Sequence, residues 1–281
     1  MTGMISPRKI LKKYGIRPRK RLGQSFLEDF NVVAKIVNRA GIGERDTVLE
    51  IGAGCGIMTA MIAARARRVV ALEVDPRMIR ILTEELAGID NVEVVEADIL
   101  AYDLSSVKGK YDEESPLKVI GNIPYNISTQ ILFRLIDARA LIPEMVLMFQ
   151  KEVAERIIAP PGGRDYGILS VMASMYTDTS KLMSVPARCF YPKPEVDSVV
   201  LRLVVRDEPA APVENHDLFL KVVKTSFARR RKTLLNNLKS LETDADMREL
   251  LTDCGIDPSR RGETLSVQEF AMIARALTRG R

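Results

Sequence analysis

The run Val48-Leu-Glu-Ile-Gly-Ala-Gly-Cys-Gly56 constrains this chain more than any other segment. Its apolar, β-branched first half predicts a buried strand over Thr47–Ile51, and the residues after it predict a helix over Ile57–Ala66. Glycines at 52, 54 and 56 let the backbone turn sharply between the two and approach a ligand closely. A dinucleotide fingerprint would need its third glycine at position 57, where Ile57 stands. The segment therefore predicts a strand–loop–helix unit of an α/β sheet whose ligand is not held by a pyrophosphate.

The same alternation continues downstream. Val69–Glu73, Val92–Val95, Leu117–Gly121 and Met145–Phe149 read as buried strands, with Lys181–Val185 and Val196–Val204 as later ones. Pro76–Ala87 and Ile127–Ala138 read as the helices between them. This pattern predicts a mainly parallel, Rossmann-like sheet with helices on both faces and ligands at the carboxyl ends of its strands. Arg206 to Asp217 is polar, contains Pro209 and Pro212, and reads as a linker. Beyond it Leu218–Phe227, Lys232–Leu241, Asp246–Cys254 and Ser266–Arg279 are helical in pattern, and Ser266 with Glu269 forms a capping-box signature. The expected division is a basic N-terminal segment (1–28), an α/β domain (29–206), a linker (207–212) and a small helical domain (213–281).

Charge and composition narrow the function. Arg8 to Arg21 holds eight Lys/Arg and no acid, and Leu218 to Leu241 holds seven more, again without an acid. Removing those fifteen from 42 leaves 27 basic against 37 acidic residues, an acidic body with two basic segments suited to a polyanion such as nucleic acid. Each run is also readable as an ordinary solvated face. The single histidine, His216, falls in the expected linker, which argues against a Ser-His-Asp triad or a multi-histidine metal site. Three scattered cysteines without ligand spacing read as reduced thiols of a cytoplasmic protein, and no metal is expected. No apolar run is long enough to span a membrane, and no secretory signal is visible.

The acids at the strand ends suggest the ligand. Glu50 before the glycines is wrong for phosphate but suits the cationic methionine end of S-adenosylmethionine. Glu73 ends the second strand, where a carboxylate accepts both ribose hydroxyls, and Asp98 after the third strand suits the adenine amine. Taken singly, Glu73 is also readable as a strand-end residue and Asp98 as a helix cap. Asp75 before Pro76 reads as a helix cap without a ligand role. After the fourth strand stands Gly121-Asn-Ile-Pro-Tyr125. An amine on an aromatic ring is a poor nucleophile because its lone pair is delocalised. Acceptors for its protons, from the Asn122 side chain or the Ile123 and Pro124 carbonyls, favour the tetrahedral nitrogen of the transition state. Tyr125 offers a ring on which an extruded base stacks, worth roughly 1–3 kcal/mol. No strong base is required, because the methylated amine loses its proton to water.

Several segments together resemble the KsgA family of ribosomal RNA adenine dimethyltransferases. They are Arg21-Leu-Gly-Gln-Ser-Phe-Leu27, Glu50–Gly56, Gly121–Ser128, Gln150–Val153, Tyr166–Val171, Phe190–Ser198 and Arg229-Arg-Arg-Lys-Thr233. The resemblance covers roughly residues 17 to 270. It implies a class I S-adenosylmethionine-dependent methyltransferase fold. It also implies dimethylation of two neighbouring adenosines near the 3′ end of small-subunit ribosomal RNA, late in subunit assembly. By position, Ser25, Leu27, Gly52, Glu73, Asp98 and Asn122 match the family's cofactor contacts. Asn122, Pro124 and Tyr125 match its target-amine site, and Phe190 matches an aromatic stacking on the base's other face. Read without the resemblance, Phe190 is a core residue beside a Pro-rich turn. Ser25 departs from the family's usual Asn or His and is shorter. Arg17–Arg21 and Arg229–Lys232 are the expected grips on RNA phosphate, and a monomer recruited to a large RNA particle is the expected state. Rival readings are an adenine methylase of large-subunit RNA, a DNA adenine methyltransferase, and an assembly or transcription factor that has lost catalysis.

Overall fold

The computed structural model describes residues 5–107, 117–241 and 245–279, and divides into two compact units. The first comprises Met1–Ala154 and Ser180–Val205, the second Glu155–Thr179 and Arg206–Arg281. Residues 155–179, which the sequence groups with the α/β domain, thus associate with the C-terminal helices.

The first unit is built on a seven-stranded sheet of order β4-β3-β2-β5-β6-β9-β7. Its strands are β2 (Thr47–Ile51), β3 (Arg68–Glu73), β4 (Val92–Glu96), β5 (Leu117–Asn122), β6 (Glu144–Gln150), β7 (Thr177–Val185) and β9 (Ser198–Val205). Strands β4, β3, β2, β5 and β6 pair in parallel, and β9 joins β6 antiparallel. All five residues of β2 are buried, as a central parallel strand requires when both its faces are covered. Helices α1 (Pro7–Lys13), α2 (Phe30–Arg39), α3 (Ile57–Ala63), α4 (Pro76–Glu85) and α5 (Ser128–Asp137) belong to this unit. Asp29 caps α2 through the amides of Asn31 and Val32, and Asp75 caps α4 ahead of Pro76, as the sequence predicts for Asp75.

A feature not evident in the sequence is a small sheet of β1 (Phe26–Leu27) and β8 (Phe190–Tyr191), paired antiparallel with Phe26 opposite Tyr191 and Leu27 opposite Phe190. Two residues make a weak strand alone, so side chains fix this pairing. Phe26 is buried with Ile10, Leu11, Met78 and Ile81, and Leu27 with Val33, Met58 and Phe190. Each such fully buried side chain contributes about 1.5–3 kcal/mol.

Helix α6 (Lys151–Ile157) runs from the first unit into the second. The second unit further contains α7 (Ile168–Tyr176), α8 (His216–Ser226), α9 (Leu234–Leu238), α10 (Met247–Asp253) and α11 (Val267–Arg279). Its core includes the ring series Tyr166, Phe227 and Phe270. The Ser266–Glu269 capping box is formed: the Ser266 amide donates to Glu269 Oε2 at 2.7 Å and the Glu269 amide to Ser266 Oγ at 3.2 Å. The linker reading of His216 is corrected. His216 opens α8 after the Asn215 cap, its Nδ1 lies 2.7 Å from the Tyr176 hydroxyl, and the Ala210 amide donates to Met175 O at 2.8 Å. Polar composition and two prolines signalled a loop, but its backbone is tied to α7. Among the described residues no helix is long and apolar enough to cross a membrane.

Candidate active site

A cleft opens to solvent at the carboxyl ends of β2, β3 and β5. Its lining brings together Ser25, Gly52, Glu73, Asp98, Asn122 and Pro124, residues spread over a hundred positions of sequence. The crossover topology explains the convergence: parallel strands end on the same side of the sheet, so the loops that follow them face one crevice. A second cavity adjoins it around the glycine loop and is lined by Leu27, Glu50, Cys55 and Met58; Gly52, Gly54 and Asn122 line both.

The glycines have separate reasons. Gly52 has φ +74°, and a Cβ there would lie 3.4 Å from the Asn122 carbonyl. Gly54 has φ +57°, and a Cβ would lie 2.9 Å from the Phe26 ring. The loop is also held from β3: the Gly54 amide donates to Glu73 Oε2 at 3.0 Å, while Glu73 Oε1 accepts from Val74 and Asp75 amides at 2.9 and 3.0 Å. Burial pushes the Glu73 carboxyl up, and those three amides oppose the shift. Glu73 is therefore both a strand-end anchor and a wall of the cleft. Asp98 accepts from the Leu100 amide at 2.9 Å, a local turn bond that leaves its second oxygen without a hydrogen bond among the described residues.

Asn122 is oriented by the N-terminal segment. Its Nδ2 donates to the Ser25 carbonyl at 2.8 Å, so its Oδ1 is the atom left to accept from a substrate amine. The Pro124 carbonyl already accepts from the Ile127 amide at 3.3 Å, and Ser128 Oγ donates to the Tyr125 carbonyl at 3.1 Å. The Tyr125 hydroxyl lies 2.7 Å from Ser198 Oγ, which fixes the ring; burial pushes its pKa up and keeps it neutral. Ser25 Oγ donates to the Pro192 carbonyl at 2.9 Å, so the short side chain is committed to a protein partner. Leu27 is buried and lines the second cavity rather than the cleft. Phe190 is 2% exposed, packs in the core with Leu27 and Val33, and, like Tyr125, lines neither the cleft nor the second cavity.

Sequence reasoning gave Asp75 only its capping role. In the structure its side chain is fully buried and also receives Gln24 Nε2 at 2.9 Å and Arg77 Nη2 at 2.5 Å. The Arg19 amide donates in turn to Gln24 Oε1 at 2.8 Å, and Arg77 Nη1 to the Arg17 carbonyl at 3.1 Å. Burial works against the Asp75 charge, but the Arg77 and Gln24 hydrogen bonds outweigh it and hold the carboxyl at about 2. This cluster pins the segment that covers the cleft, and only the Gln24–Asp75 separation of 51 positions hid it. Part of the N-terminal basic run is likewise engaged within its unit: Arg8 pairs with Glu28 and lies over the Tyr191 ring, and Lys13 pairs with Glu85 at 2.6 Å. Lys9, Lys12, Lys20 and Arg21 have no acidic partner among the described residues. In the second unit, Arg229 to Lys232 are exposed on a turn held by Asn237, whose Nδ2 donates to Ser226 O at 2.8 Å and Arg229 O at 3.2 Å.

The donor set fits S-adenosylmethionine. The cleft has a buried carboxylate at a strand end for a ribose, apolar walls from Ile51, Leu72 and Val74, and no lysine or arginine suited to a phosphate. Beside it, Glu50 is 2% exposed with Oε2 lacking any hydrogen-bond partner, an orphaned acceptor that a cationic group satisfies.

Comparison with known proteins agrees. Residues 15–279 match the family described as ribosomal RNA adenine dimethylase. A ribosomal RNA small subunit methyltransferase A from Syntrophus aciditrophicus is 46% identical over 98% of this chain and 99% of its own length. One from Moorella thermoacetica is 46% identical over 95% of each. Among solved structures, a dimethyladenosine transferase from Plasmodium falciparum has a TM-score of 0.76 at 26% identity, covering 91% of this chain and 98% of that one. The 23S rRNA methyltransferase ErmE has a TM-score of 0.66 at 28% identity, covering 90% and 99%. A near-full-length match to the family, on a sheet whose crevice is lined by Glu73, Asp98, Asn122 and Pro124, places this chain in the ribosomal RNA adenine dimethylase family, S-adenosylmethionine-dependent methyltransferases.

Proposed function

We propose that the protein methylates the N6 amines of two adjacent adenosines near the 3′ end of small-subunit ribosomal RNA, giving dimethyladenosines during late subunit assembly. The observation that carries this reading is the fixed Asn122 amide at the edge of the cleft. Its nitrogen is held by the Ser25 carbonyl, which aims the oxygen as an acceptor. An amine proton held by Asn122 Oδ1 draws the nitrogen lone pair out of conjugation, an interaction stronger in the transition state than in the ground state. When bound, S-adenosylmethionine supplies the electrophilic methyl group. Glu73 and Asp98 are proposed to hold its nucleoside, with Gly52 and the Ser25–Leu27 segment close around it. Pro124 sets the backbone of the target-amine site, and Tyr125, its hydroxyl fixed by Ser198, provides the stacking face. The excess proton of the methylated amine leaves to water. The helical unit is proposed to grip RNA phosphate through Arg229–Lys232, and the N-terminal segment through its unpaired lysines and Arg21. A monomer acting in the cytoplasm on the assembling subunit fits these roles.

The test is methyl transfer from labelled S-adenosylmethionine to small subunits lacking the two modifications, with mass spectrometry of the digested RNA. Dimethyladenosine at the adjacent positions is expected. Transfer instead to naked large-subunit RNA would replace the target assignment, and cofactor binding without any transfer would remove it.

A further inference from the structure

Two buried carboxylates flank the glycine loop, and their surroundings are opposite. Glu73 receives three backbone amides. Glu50, inside β2, has no hydrogen bond to Oε2, and the Thr59 hydroxyl is the neighbour that favours its ionised form. The cavity beside Glu50 has uncharged walls from α1, β1, α2, α3 and β5. The charged group that acts on it is Glu73, which repels; its cavity neighbour Cys55 carries a thiol that burial pushes up to about 12 and so keeps neutral. No lysine, arginine or histidine lines that cavity. An unpaired buried charge is far costlier than a neutral carboxylic acid, so the group keeps its proton. Burial, with the repulsion of Glu73, pushes the Glu50 carboxyl up to about 8.

We infer that cofactor uptake is coupled to proton release at Glu50, which stands neutral in the free chain and ionises against the ammonium of the methionine end. The inference rests on reading the cleft as the S-adenosylmethionine site. The O–H bond of the carboxylic acid breaks, its proton passes to solvent, and the carboxylate left behind accepts the ammonium N–H. The protein thereby favours a cationic ligand group without holding an uncompensated buried charge while it waits. Linkage then requires affinity to rise about tenfold per pH unit below pH 8 and to stop rising above it, where Glu50 is already ionised.

Isothermal titration of the full chain with S-adenosylmethionine at pH 6.5, in buffers of different ionisation enthalpy, counts the protons. About one proton should leave per ligand bound. The release should be the same with S-adenosylhomocysteine, which keeps the ammonium but lacks the sulfonium charge. Glu50→Gln should still bind, more weakly, with that release lost. In the wild type, the infrared band of a protonated carboxyl should disappear on binding, a readout that needs no variant. Binding without proton release, release surviving in Glu50→Gln, or release with S-adenosylmethionine alone would each overturn the inference while leaving the cofactor site standing. Failure of both ligands to bind would instead remove the reading of the cleft.

Discussion

Gly54→Ala tests whether the glycine loop is dictated by the N-terminal segment lying against it. Gly54 has φ +57°, a conformation that costs a side chain about 1 kcal/mol. Its new Cβ would lie 2.9 Å from Cδ1 and Cε1 of Phe26. That ring is not free to swing away: it is 9% exposed and packed among Ile10, Leu11, Met78 and Ile81. Overpacking of this kind costs about 1–3 kcal/mol, so the substitution should destabilise the first unit by about 2–4 kcal/mol. Phe26→Leu alone should cost about 1–2 kcal/mol, and in the double variant the steric part of the Gly54 penalty should vanish. The resulting coupling is about 1–3 kcal/mol in the compensating direction. Because a two-unit chain need not unfold in one step, the measurement is hydrogen exchange of the β2 and β3 amides in increasing urea. Additivity of the two substitutions within about 0.5 kcal/mol would refute the argument that Phe26 is what excludes a side chain at position 54.

Three further outcomes are expected. Asn122→Ala should lower kcat by about 10²–10³ with RNA binding nearly intact, since it removes an acceptor used in the transition state; equal loss of RNA affinity would count against that role. Arg229→Glu with Arg230→Glu should weaken RNA binding and flatten its salt dependence without changing cofactor affinity, and a filter-binding series unchanged across salt would sink the phosphate-grip assignment. Asp75 stabilises the fold while ionised, above its ordinary value of 3.8, and that stabilisation is lost as pH falls from about 4 to about 2. Asp75→Asn should therefore remove about 2 kcal/mol of acid sensitivity over that window. Parallel acid-unfolding curves for the two proteins would show that Arg77 and Gln24 do not hold the charge as described.

The amino-acid sequence determined what depends on neighbours along the chain. The strand–glycine–helix unit at 47–63, the acid at the end of β3, the Asp75 cap and the Ser266–Glu269 capping box are all short-range patterns, and hydrophobic periodicity located the parallel strands to within a residue or two. Parallel strands end on one side of the sheet, so a crevice at their carboxyl ends was legible without the strand order. What the tertiary structure alone decided is pairing between distant segments. Leu27 opposite Phe190, Gln24 on Asp75 and Ser25 on Asn122 join parts of the chain with no local signal for one another. Phe190 is covered for that reason, because the two-residue strand it forms is folded into the core. His216 left the expected linker because Tyr176 and a backbone bond from Ala210 hold that stretch. The pattern could show an acid before the glycines, but whether Glu50 finds a donor depends on every element packed around β2. The free energy of a buried charge is set by those three-dimensional neighbours, and no spacing along the chain reports them.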